Sequence, residues 1–275
     1  LSERDERTGQ WHWRRDVKSI VETARSNDIT FDRLPAMGHA SWGELEQELG
    51  PVTADDLDTL LASRVQEVLA QTAGSTLKNT MAYRNVLRNV ARDIHAPWSH
   101  WAALLSKKPE KQYHPEAEEI AALVARVGEH PRLRSDLSRY LELLFHLAAQ
   151  VGNHFSALKK ERGAADFTDL EKEALDLLRN HPGVREILAE EIDLLLVDAF
   201  QDTSPIQLAL FTELGKLADR IIWVGDVKQS IYGFRHADPE LVFQAVAGAE
   251  TTHSLEKSWR SVPDLVSLSN RLFAS

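Results

Sequence analysis

The sequence predicts an α/β protein in which a parallel sheet with crossover helices follows a large all-helical segment. Three observations carry this prediction. Apolar residues recur at helical spacing through nearly all of the first 190 residues. Two short apolar runs, LLLV (194–197) and IIWV (221–224), then each lead into an aspartate, and a helix opened by Pro205 separates them. Strands that alternate with helices imply parallel pairing, and the functional groups of such sheets gather outside the carboxyl ends of the strands.

In "WHWRRDVKSIVETARSN", Trp13, Val17, Ile20, Val21 and Ala24 fall on one helical face. In "TADDLDTLLASRVQEVLAQ", Thr53 and Asp56 have capping-box spacing ahead of a stripe of Leu57, Leu60, Leu61, Val65, Val68 and Leu69. "STLKNTMAYRNVLRNVARDI" repeats the pattern with Leu77, Met81, Leu87, Val90 and Ile94, and Trp98 and Trp101 share a helix face after Pro97. Further helices are expected over about 115–127 and 135–160; core packing is sufficient reason for all these stripes. After Gly163 the texture changes. "DFTDLEKEALDLL" begins a capped helix near Thr168, and "GVREILAEE" forms a short one. "IDLLLVD" is the first strand, "PIQLALFTELGKLA" a helix, "RIIWVGD" the second strand and "VKQSIYGFRHAD" a polar loop. A helix from about Pro239, a short strand near "THSLEK" and a helix from about Val262 follow.

With 275 residues, 43% of them hydrophobic, the chain can build one large domain or two smaller ones. A net charge of −10 excludes coating of nucleic acid through bulk positive potential, so any such contact is local. Arg84, Arg88 and Arg92 at i, i+4, i+8 make the best basic stripe, and Lys107, Lys108 and Lys111 a small basic loop; each suits either a phosphate backbone or plain solvent. The absence of cysteine excludes disulfides, thiol nucleophiles and cysteine-held metals, and fits a reducing compartment. The eleven histidines are scattered, and His95 with His100 does not form a metal-ligand set. No apolar run approaches the roughly 20 residues that span a bilayer, and the opening LSERDERTGQ has no apolar core, so a cytoplasmic location without membrane partners is expected. The chain lacks an initiator Met, and a fragment of something longer is expected.

An aspartate at a strand tip, such as Asp198, can offer a carboxylate to a Mg²⁺ ion that bridges nucleotide phosphates; it can equally cap the following turn. "GDVKQSIYGFR" gathers Asp226, Gln229, Tyr232, Phe234 and Arg235 in one loop. Aromatics interleaved with an arginine compose a stacking platform for single-stranded bases, the alternative being that Tyr232 and Phe234 plug the core under the loop.

Taken together, "VDAFQDTSPIQ", "VGDVKQSIYGFRHAD" and "LEKSWRS" resemble motifs II, III and IV of the UvrD/Rep-like superfamily 1 DNA helicases. "DFTDL" (166–170) matches a signature ahead of motif II in the relatives of AddA and RecB helicase–nuclease subunits. The resemblance covers about residues 164–275 well and the helical first part only in position and character. It implies part of a RecA-like P-loop NTPase parallel sheet with a large all-helical insertion. Residues 1–163 would be the inserted (1B-like) subdomain, 164–250 the C-terminal half of the first RecA-like ATPase domain, and 251–275 the start of the second. ATP and Mg²⁺ are the implied cofactors; single-stranded and duplex DNA, with a nuclease or partner subunit, are the implied partners. By resemblance, Asp198 is the Mg²⁺-associated carboxylate, with Gln201 and Asp202 the remaining polar members of its motif. Gln229 resembles the γ-phosphate contact with Asp226 beside it, Tyr232 and Phe234 the rings that stack on bases, and Arg235 a neighbour of the DNA. Arg260 resembles the arginine that stabilises charge on the transferring phosphoryl group.

Three departures from that pattern matter. Ala199 stands where the family has a glutamate that positions or deprotonates the attacking water, so hydrolysis is expected to be severely impaired while Asp198 retains nucleotide and Mg²⁺ binding. A single change in an otherwise well-kept motif fits an engineered trap of the ATP-bound state; natural degeneration is the other origin. No GxxxxGK[ST] loop occurs, so residues 1–275 alone are not expected to be a competent ATPase. His236 replaces the usual glycine after the motif III arginine, as a base or phosphate contact or a neutral loop residue, and Ser258 and Trp259 replace the usual Asn and Tyr. The expectation is therefore part of an ATP-dependent DNA helicase or translocase motor, 3′-to-5′, in repair or recombination. The alternative is a degenerate, non-hydrolysing homologue acting as a DNA-binding or scaffolding subunit.

Overall fold

The computed structural model describes residues 12–226, 251–255 and 260–273, in two compact units, Leu1–Asp169 and Leu170–Ser275. The first unit is helical: α1 (His12–Ser26), α2 (Leu34–Glu48), α3 (Leu57–Gln71), α4 (Lys78–Val90), α5 (Trp98–Ser106), α6 (His114–Ala125) and α7 (Pro131–Glu161), with the start of α8 (Phe167–Asn180) at its end. It has two cores. Leu57, Leu61, Val65 and Val68 of α3 meet Tyr83 and Leu87 of α4, Trp101 of α5 and Ile120 of α6. Val17 and Val21 of α1 meet Leu34 of α2 and Leu144 and Ala148 of α7.

Several local expectations change. Helix α3 is capped by Asp56, whose Oδ1 accepts the Thr59 N–H at 3.1 Å; Thr53 lies one turn too early and accepts instead from the Asp55 N–H at 3.1 Å. On α4 the buried positions are Thr80, Tyr83, Leu87 and Val90, while Leu77, Met81 and Ile94 are exposed. Tyr83 supplies the large inward ring; Leu77 is the N-cap position, and Ile94 lies past the helix end. Arg92 also lies past that end, so only Arg84 and Arg88 of the basic stripe are helical, and Arg88 donates to Asn85. Helix α2 had no strong stripe to announce it, because its buried residues are Leu34 and Gly38 alone. Trp98 and Trp101 do join a core, packed around His130 with ring centroids 5.2–5.6 Å apart.

Charges within this unit close on one another. Buried Asp58 accepts two hydrogen bonds from Arg132 (2.8 and 3.1 Å) and lies 3.0 Å from His95 Nδ1. His130 Nε2 stands 3.3 Å from the same carboxylate, and the Arg132 guanidinium stacks 3.9 Å above the Trp98 ring. Burial pushes the Asp58 carboxyl up, but the Arg132 and His95 hydrogen bonds and the nearby positive charge outweigh it and hold it below the ordinary carboxylate range. The DFTDL signature closes similarly. Asp166 and Asp169 accept each other's backbone N–H (2.9 and 3.1 Å) as a reciprocal cap for α8, and both carboxylates bind Arg25 and Lys159.

The second unit contains α8 from Leu170 on, α9 (Pro182–Glu191), β1 (Leu194–Val197), α10 (Pro205–Gly215), β2 (Arg220–Trp223) and α11 (Pro263–Phe273). The strands pair in parallel, Leu194 opposite Arg220 through Val197 opposite Trp223. Val197 and Phe200 pack with Leu195, Phe211 and Trp223 on one side of the sheet, whereas Leu194, Leu196 and Ile222 are exposed. The result is a mostly helical α/β chain with a small parallel sheet. Residues 251–255 form no strand, and the rest of the stretch expected to form one, like the helix from about Pro239, lies outside the described residues. Among the described residues no helix is long and apolar enough to cross a membrane.

Candidate functional site

Parallel pairing brings the carboxyl ends of β1 and β2 side by side. The ladder continues past both strands: the Val224 N–H donates to the Val197 carbonyl (2.8 Å), and the Phe200 N–H donates to the Val224 carbonyl (3.2 Å). Asp198 and Asp226 therefore leave the sheet at the same edge, both exposed. The chain reverses at Ala199, which sits in the left-handed region (φ 53°, ψ 40°) and donates its N–H to Asp198 Oδ1 at 2.8 Å. For a residue with a Cβ that conformation costs about 1–2 kcal/mol, and such strain clusters at functional turns.

A short 3₁₀ turn (Phe200–Asp202) follows. Phe200 is buried against Trp223, with ring centroids 6.0 Å apart, which anchors the turn to β2. Gln201, only 6% exposed, joins the two strand ends: its Oε1 accepts the Asp226 N–H at 3.1 Å, and its Nε2 donates to Asp202 Oδ2 at 3.4 Å. Gly225 makes this possible, since a Cβ there would collide with the Phe200 ring and Gln201 Oε1. Asp202 Oδ1 is buried and has no hydrogen-bond partner among the described residues. Thr203 closes the turn through its hydroxyl onto the Phe200 carbonyl (2.7 Å), and Ser204 caps α10.

This donor set suits Mg²⁺ held together with nucleotide phosphates and does not suit a full protein cage. Among the described residues no group of three or more His, Cys, Asp or Glu could hold a metal. Mg²⁺ usually takes one or two carboxylates and fills its octahedron with water and phosphate oxygens, and Asp198 at an exposed strand tip, with Asp202 Oδ1 unpartnered, is such a set. The Ala199 methyl has no atom that can accept a proton from water.

Of the residues singled out by sequence, Asp198, Ala199, Gln201, Asp202 and Asp226 come together at the strand ends. Arg260 is exposed in the bend before α11, and no hydrogen bond or ion pair involves it among the described residues. Gln229, Tyr232, Phe234, Arg235 and His236 lie outside the described residues. Sequence reasoning overlooked Phe200, Gly225 and Gln207. The Ser204–Gln207 spacing of a capping box was the available signal for the last.

The family model for the UvrD/REP helicase N-terminal domain matches residues 13–247. The chain is similar to the AddA-type ATP-dependent helicase/nuclease subunit of Carboxydothermus hydrogenoformans, 34% identical over 139 residues that cover 50% of this chain and 12% of that protein. The protein of the same name from Staphylococcus carnosus is 32% identical over 191 residues, 65% of this chain and 15% of that protein. The exonuclease/helicase subunit RexA of Lactococcus lactis subsp. cremoris is 33% identical over 121 residues, 42% of this chain and 10% of that protein. These matches take in only 10–15% of the length of the curated relatives. With its strand-end site lying inside a match that takes in most of the sequence, the chain belongs to the UvrD/REP helicase N-terminal domain family and is a homologue of AddA-type helicase/nuclease subunits.

Proposed function

We propose that this chain is part of an ATP-dependent DNA helicase or translocase motor acting 3′-to-5′ in repair or recombination, with hydrolysis impaired at Ala199. The observation that carries the reading is the joining of two parallel strand ends by Gln201, which links the turn bearing Asp198 and Asp202 to the backbone of Asp226. In this reading residues 164–250 belong to the C-terminal half of a RecA-like ATPase domain, 251–275 begin a second, and 1–163 are an inserted helical subdomain. When bound, Mg²⁺ would supply positive charge against the nucleotide phosphates. Asp198 would hold the ion, Asp202 Oδ1 would accept a hydrogen bond from a water or ligand beside it, and Gln201 would link the site to the segment that begins at Asp226. Gln229 contacts the terminal phosphate and Arg260 supplies positive charge to it. Tyr232 and Phe234 stack on bases of single-stranded DNA, with Arg235 and His236 beside the backbone. Arg84 and Arg88 of α4 suit the phosphates of duplex DNA. A nuclease or partner subunit completes the proposed assembly.

The decisive experiment restores the missing base. In the intact polypeptide, Ala199→Glu is expected to raise DNA-stimulated ATP hydrolysis by about 10²-fold or more, the usual worth of a positioned general base. No gain would sink the motor reading. The second reading, a non-hydrolysing homologue that binds DNA or serves as a scaffold, is favoured by Ala199 itself, and an unresponsive Ala199→Glu protein that still binds DNA would establish it.

A further inference from the structure

The turn that carries Gln201 and Asp202 ends at Ser204, and the cap there is reciprocal. Ser204 Oγ accepts the Gln207 N–H (3.4 Å), and Gln207 Oε1 accepts the Ser204 N–H (3.1 Å). A glutamine amide can face either way, because its oxygen and nitrogen ends are close to the same shape. Here the choice is made from α8: Gln207 Nε2 donates to Glu171 Oε1 at 2.7 Å. An ionised carboxylate only accepts, so Glu171 admits the Nε2 end and leaves Oε1 facing Ser204.

We infer that Glu171 is a positioning residue for the strand-end site. It sets the orientation of the Gln207 amide, which completes the cap at Ser204 and so fixes the turn that holds Gln201 against Asp226 and places Asp202 beside it. Glu171 and Gln207 are 36 positions apart and belong to the same unit. The inference rests on the motor reading above.

The test exploits polarity rather than size. In the intact polypeptide carrying Ala199→Glu, kcat and KM for DNA-stimulated ATP hydrolysis are measured together with the unfolding temperature. Glu171→Lys replaces an acceptor by a donor, turns the Gln207 amide over and sets Nε2 against the Ser204 N–H; kcat is expected to fall about tenfold, in the range of supporting-residue losses, with KM changed less. Glu171→Gln keeps an acceptor oxygen and stays within about twofold of the parent, and Glu171→Ala falls between them. Adding Gln207→Glu to Glu171→Lys restores an acceptor at Ser204 and gives the lysine a partner, so kcat recovers to within about threefold of the parent. A purely packing role predicts the double variant to be at least as impaired as either single change, and that result, or equal kcat throughout, overturns the inference. A parent without hydrolysis overturns the motor reading instead. Amide exchange at Ser204 in the 275-residue chain then still decides the orientation: about tenfold faster in Glu171→Lys and recovered in the double variant supports it, and unchanged exchange overturns it.

Discussion

The two units differ in where they place charge and in how far they cover apolar surface. In the helical unit two sets of carboxylates close into ion-pair networks: Asp58 meets Arg132, His95 and His130, and Asp166 and Asp169 meet Arg25 and Lys159. Its two cores draw on every helix from α1 to α7. The strand-bearing unit buries Val197, Phe200 and Ile206 but leaves Leu194, Leu196 and Ile222 exposed on its sheet, and a buried oxygen of Asp202 has no partner among the described residues. Parallel sheets are ordinarily covered on both faces. The contrast is one of placement: the first unit sets ion-pair networks beside two covered cores, although Tyr83 Oη, Trp101 Nε1 and His100 Nδ1 are buried there without a hydrogen-bond partner among the described residues, and the second brings exposed Asp198 and Asp226 to the edge where both strands end.

The contrast breaks most visibly at Asp58. Asp58→Ala would leave Arg132 and buried His130 without their carboxylate, and removing one member of a buried ionic set costs about 3–5 kcal/mol. Urea unfolding followed by helical circular dichroism is the measurement; a loss below about 1 kcal/mol would mean that the network is no more than a surface pair. The pH dependence has a fixed sign. Asp58, Asp166 and Asp169 are all held below their ordinary 3.8, so their stabilisation is present above that pH and is lost as pH falls through the lower folded values. Helical signal that is constant to well below pH 3 would contradict this.

A smaller effect tests the second unit. Gly225→Ala places a methyl against the Phe200 ring and the Gln201 amide. Overpacking of this kind costs about 1–3 kcal/mol, and it is expected to part Gln201 from the Asp226 N–H. Faster amide exchange at Asp226, alongside a lower unfolding midpoint, would register both; an unchanged Asp226 amide would show that the two strand ends do not depend on Gln201.

How far the sequence could be read follows from where partners lie along the chain. The strands, α10 and the turn at Asp198–Asp202 were legible because short apolar runs, a proline and closely spaced polar residues lie next to one another. Helix α2 was not, because a glycine takes much of its buried face, and the α4 stripe was misplaced because Thr80 and Tyr83, each with a hydroxyl, point inward. Asp58 finds His95 and Arg132 at separations of 37 and 74 residues, and Gln201 finds Asp226 at 25. No periodicity encodes such pairs. They follow only once packing has chosen which helix ends and strand ends meet.

The smallest expected effect is the sharpest probe of the turn itself. Ala199 carries left-handed strain that any side chain with a Cβ would share, a glutamate included, so exchanging Ala for Glu leaves the backbone cost in place. Gly removes it. Ala199→Gly is therefore expected to stabilise the second unit by up to about 1 kcal/mol, the relieved strain less the added flexibility of the unfolded chain, with no gain in hydrolysis. Ala199→Glu is expected to do the reverse, supplying a proton acceptor without raising the unfolding midpoint. If both substitutions changed stability and activity together, the strain and the missing carboxylate would be one effect. If they separate, the left-handed turn is a property of the strand end that any residue there inherits, and what Ala199 lacks in the proposed motor is a proton acceptor alone.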